Sequence, residues 1–68
     1  MKLNYLIVGR FLFDEHDTAQ VIKAESESEA VAAWEEKMRT LDTENENDLI
    51  QTLIAVSETP INITYYED

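Results

Sequence analysis

The sequence predicts an α+β fold: a two-layer sandwich in which one helix packs on a four-stranded antiparallel sheet, in the order ββαββ. Three observations lead there. Runs rich in branched and aromatic residues come in two pairs, each pair joined by a short polar break. Between the pairs lies one stretch with apolar residues at helical spacing, opened by Ser26-Glu27-Ser28-Glu29 in a capping-box pattern. Sixty-eight residues without cysteine, repeat or linker form a single domain over residues 1–68, near the lower size limit for one core.

The first strand is expected over residues 3–13. Alternation places Leu3, Tyr5, Ile7, Phe11 and Phe13 on one face and Leu6, Val8 and Leu12 on the other. A strand apolar on both sides belongs in the middle of a sheet. Gly9, the only glycine, sits in mid-strand, where its missing side chain admits a bulky neighbour; Trp34 is the candidate. Asp14-Glu15-His16-Asp17 then reads as a hairpin loop. A second strand follows over residues 18–24, with Ile22 and Ala24 on one face and Val21 on the other.

The helix is expected over residues 27–40. Ser26 can accept from an early helix amide, while Glu27 and Glu29 complement the positive end of the helix dipole. Val31, Trp34, Met38 and Leu41 form the apolar stripe, with Ala30 beside it, which is core spacing. Lys37 and Arg39 lie towards the negative end. Asp42, Glu44, Glu46 and Asp48 alternate like the first ligands of a calcium loop. Asn47 stands where the sharp-turn glycine would be, however, and Leu53 where the bidentate glutamate would be. The loop is therefore read as solvated, and no metal is expected.

A third strand is expected over residues 48–56, with Leu49, Leu53 and Ala55 on one face and Ile50, Ile54 and Val56 on the other. After the turn at Ser57-Glu58-Thr59-Pro60, Ile61, Ile63 and Tyr65 alternate with polar residues and Tyr66 as a fourth, edge strand. One helix cannot cover both faces of such a sheet. Phe11, Leu12 and Phe13, with one side of the third strand, are left as an apolar surface, so a homodimer is expected.

Charge narrows the function. The net charge is −10, from fifteen acids and five bases. Clustered Lys and Arg, which direct nucleic-acid and anionic-membrane binding require, are missing. A basic protein or nucleoprotein complex is the expected partner. Nine carboxylates, Glu25, Glu27, Glu29, Glu35, Glu36, Asp42, Glu44, Glu46 and Asp48, face only Lys37 and Arg39 within residues 25–48. Duplex DNA carries about one charge per 1.7 Å of axis, so a row of carboxylates can imitate part of its backbone. No catalysis or cofactor is expected: there is no Gly-rich phosphate loop, no His-Glu-x-x-His pattern, and one histidine in a turn away from Ser26, Ser28 and Ser57. Arg10 interrupts the apolar run after Met1-Lys2, and no small-residue cleavage site follows, so a cytoplasmic location is expected.

In size, acidity, lack of cysteine and element order the whole chain resembles small phage-encoded inhibitors of the anti-CRISPR and antirestriction kind. That resemblance implies stoichiometric blocking of a bacterial defence complex, such as a CRISPR effector, in the host cytoplasm and without catalysis. It carries no motif, so it assigns no residue. The alternative is a small structural or adaptor module that self-associates or docks through its apolar sheet face.

Overall fold

A computed structural model describes residues 1–62. Its elements are β1 (Leu3–Phe11), β2 (Thr18–Ala24), α1 (Glu27–Leu41) and β3 (Leu49–Ser57). The sheet has three strands in the order β2-β1-β3, with both pairings antiparallel. The apolar run of β1 thus occupies the central position that its two apolar faces require.

Among the described residues the sheet has three strands, not the expected four. Ile61 and Asn62 lie outside any strand, and Ile63, Tyr65 and Tyr66 lie outside the described residues. Two local causes act at the end of β3. Pro60 has no N–H to give to a ladder. The Thr59 carbonyl, meanwhile, accepts from Asn4 Nδ2 at 3.0 Å, across the sheet end on β1, which turns the chain away from the outer edge of β3.

The core lies on one face. Tyr5, Ile7 and Phe11 of β1, Ile22 and Ala24 of β2, and Ala30, Trp34 and Met38 of α1 are buried together. Fully burying a side chain such as Ile7 stabilises by roughly 1.5–3 kcal/mol. Helix spacing selects Ala30, Trp34 and Met38 as one stripe, and the same spacing predicts Leu41 beneath it. Leu41 is instead 66 % exposed, because the helix ends there and Asp42 caps it through its N–H to the Met38 carbonyl at 3.2 Å. At the other end Ser26 Oγ accepts from the Glu29 amide at 3.2 Å, as the capping pattern predicts.

Gly9 is the contact point between the layers. A Cβ there would lie 2.5 Å from Trp34 Cζ2 and 2.8 Å from Cη2, and would also meet the Ile50 carbonyl. The sequence expectation of a close Trp34 neighbour therefore holds. The same place carries a bulge: Val8 pairs with Leu53 but Gly9 with Gln51, so Thr52 is left over. This splits each of the two expected faces of β3. Leu49 and Gln51 share the helix side with Ile54 and Val56, while Ile50, Leu53 and Ala55 face away.

The helix lies over β1 and β2. No element among the described residues covers the opposite face of the sheet, where cross-strand pairing aligns Leu6 with Val21 and Ala55, and Val8 with Ala19 and Leu53. Leu53 is 52 % exposed. An antiparallel sheet with one solvated face ordinarily presents polar residues there. This one does not.

Candidate functional site

Every Asp and Glu of the described residues lies outside the strands. Strand charge is confined to Arg10 and Lys23, both on the uncovered face. The carboxylates instead occupy the helix and the loops at the two ends of the molecule, and the structure regroups them.

The end holding the helix C-terminus is the more densely charged. Its loop alternates acids with asparagines, and each type has its own task. The amides of asparagine can donate where a carboxylate cannot. Asn45 Nδ2 donates to Asp42 Oδ2 at 3.3 Å, and Asn45 Oδ1 accepts from the Asn47 amide at 2.9 Å. Arg39 donates to the Asn45 and Asn47 carbonyls, each at 3.3 Å, with its guanidinium 5.6 Å from the centre of the Phe11 ring. These bonds hold the loop backbone while the Glu44, Glu46 and Asp48 side chains stay exposed.

Two further bonds join this loop to the β1–β2 hairpin. The Leu12 amide donates to the Asp48 carbonyl at 2.7 Å, and Asn47 Nδ2 donates to the Leu12 carbonyl at 3.2 Å. Asp14, Glu15 and Asp17 are thereby brought beside Asp42, Glu44, Glu46 and Asp48. Seven carboxylates share one pole, with Arg10 and Arg39 as its cations. The Arg10–Asp17 contact at 3.2 Å is the one ion pair among the described residues.

The hairpin turn itself is unusual. Its bond from the Asp14 amide to the Phe11 carbonyl, at 3.1 Å, closes a four-residue turn with Phe13 in third place at φ 77°. That place in such a turn favours glycine or asparagine. Phe13 is also 82 % exposed and Leu12 37 %. Phe11, by contrast, is 3 % exposed and belongs to the core, so it is no part of an outer apolar patch.

The remaining expected site residues lie elsewhere. Glu25, Glu27 and Glu29 surround the helix start, about 22 Å from its end for fifteen residues at 1.5 Å each. Glu27 and Glu35 flank Val31 along a shallow depression on one side of the helix, and Glu27 also lines a second depression with Tyr5, Ile54 and Val56. Glu29 and Glu36, seven residues apart, share another side. The nine carboxylates of residues 25–48 thus form two poles and a sparse middle, not a single row. The sequence reading left Asp14, Glu15 and Asp17 out of the site. Alternation of Asn with acid in residues 44–48 was the signal that this loop would be pinned against a neighbour.

No protein-family model matches this chain, and comparison with curated proteins and with solved structures returns no match. Among the described residues no three His, Asp or Glu side chains converge as ligands for a metal ion. No described helix is long and apolar enough to cross a membrane.

Proposed function

We propose that this chain is a non-catalytic binding protein whose acidic pole engages a basic protein and blocks the surface that protein uses for nucleic acid. The observation that carries the reading is the pair of hydrogen bonds joining residues 42–48 to the hairpin, which gathers seven carboxylates into one field. Like charges so gathered repel one another in the free protein, and a cationic surface relieves that repulsion on contact. The carboxylates are exposed and nearly free of ion pairs, so their charge is available to a partner. A nucleoprotein defence complex such as a CRISPR effector is one partner with the required chemistry.

The test is competition. A purified CRISPR effector with its guide is titrated with the chain, and its target-DNA binding is read over a range of salt. Inhibition should be stoichiometric and should weaken as salt rises, since exposed charge contacts are screened. Reversing Glu44 and Glu46 to Lys should slow association more than reversing Glu29 and Glu36. Inhibition that ignores both salt and the loop reversals would refute the acidic pole as the contact. No inhibition of the CRISPR effector or of other basic nucleic-acid-binding proteins would refute the function.

A further inference from the structure

We infer that the face of the sheet left uncovered by the described residues is where two copies of this chain meet, sheet against sheet, with their strands running in opposite directions. Leu6 and Val8 at its centre are only half-buried, and Val21, Ile50, Leu53 and Ala55 extend the apolar surface over all three strands. Charge selects the occupant. Two molecules of net charge −10 repel across almost any approach, yet this face carries no carboxylate. It is therefore the surface across which identical chains can make contact with the least repulsion.

Charge also selects the arrangement. Lys23 lies at the sheet end flanked by Glu25 and Glu58, and Arg10 at the end flanked by Asp17 and Asp48. A two-fold axis in the interface and perpendicular to the strands lays the Lys23 end of one copy on the Asp17 and Asp48 end of the other. An axis along the strands would place like ends together. Size sets the strength. Three strands about 4.8 Å apart and up to nine residues long at about 3.3 Å each give a footprint of about 430 Å² per copy. Such a footprint lies at the low end for specific interfaces, so the dimer exchanges readily with monomer.

Sedimentation of the full chain from about 10 μM to about 1 mM should show a monomer–dimer equilibrium within that range. Raising NaCl should strengthen it by screening the repulsion between copies, opposite to its expected effect on a basic partner. The two proposals can therefore fail separately. Val21→Asp and Leu53→Asp should each weaken the dimer at least tenfold while far-UV circular dichroism stays native. Glu44→Lys should leave it in place. Amide shifts on dilution should concentrate at Leu6, Val8, Val21 and Leu53. A monomer throughout the range, a dimer untouched by both Asp variants, or shifts confined to the helix would overturn the inference. So would a folded monomer in which residues 63–68 give contacts to Leu6 or Val21.

Discussion

Replacing Gly9 by alanine should nearly unfold the protein. The added methyl would sit 2.5 Å from Trp34 Cζ2, whereas ordinary contact begins near 3.4 Å, so the indole would have to retreat by about 0.9 Å in a close-packed core. On its other side the methyl meets the Ile50 carbonyl, which belongs to the backbone of β3 and cannot rotate away. Overpacking of a core costs typically 1–3 kcal/mol, and two unyielding neighbours place this case at about 3 kcal/mol or above. A core of this size supplies only roughly 3–5 kcal/mol in total. With a urea slope of about 1 kcal/mol/M, the midpoint should fall by about 3 M and leave little folded protein in water. Trp34 is the only tryptophan, so its fluorescence follows the transition directly. Its indole Nε1 is buried and makes no hydrogen bond among the described residues, so Trp34→Phe breaks none of those. In that background, followed by circular dichroism, Gly9→Ala should cost about 1–2 kcal/mol less, because the pair is coupled. A Gly9→Ala protein within about 1 kcal/mol of the parent would refute the close approach of helix and sheet at this point.

Three other substitutions probe separate features. Ser26→Ala should cost about 1 kcal/mol in urea unfolding by removing the bond to the Glu29 amide, while Ser26→Asp should retain most of it; equal loss in both would mean that the cap contributes nothing. Phe13→Asn should raise thermal stability by about 0.5–1 kcal/mol, because asparagine tolerates the left-handed backbone and the exposed ring has little contact to lose. A lowered melting temperature would show that the ring is held by contacts. Asn47→Ala should cost about 1 kcal/mol and speed amide exchange at Leu12, whose carbonyl Asn47 holds and whose amide bonds to Asp48; unchanged exchange would mean that the loop and hairpin are independent.

Sequence patterning carried the elements well where a single face decides. Ile22 and Ala24 against Val21, the stripe of Trp34 and Met38, and the cap at Ser26 all follow from local periodicity and hydrogen-bond chemistry. It misled where the backbone departs from period two. The bulge at Thr52 is a property of pairing with β1 at Gly9, which no reading of β3 alone reveals, and it put Leu49 on the other face from Leu53 and Ala55, and Ile50 on the other face from Ile54 and Val56. The fourth strand was read from alternation alone, whereas Pro60 and the bond from Asn4 to the Thr59 carbonyl leave Ile61 and Asn62 outside the sheet. For the candidate site, the charge excess was plain in the composition. Its geography was not: the join between residues 42–48 and the hairpin depends on Leu12 and Asn47, which stand 35 positions apart.

All eight side chains of the buried cluster come from the first 38 positions, and the helix that seals them rests on β1 and β2. A ribosome would therefore have released all eight before β3 appeared. That last ribbon joins as a blade on the rim of an already assembled unit, held mainly by its ladder to β1. Leu49 and Ile54 pack against the buried cluster from that rim, so peeling the ribbon away would bare one flank of the interior.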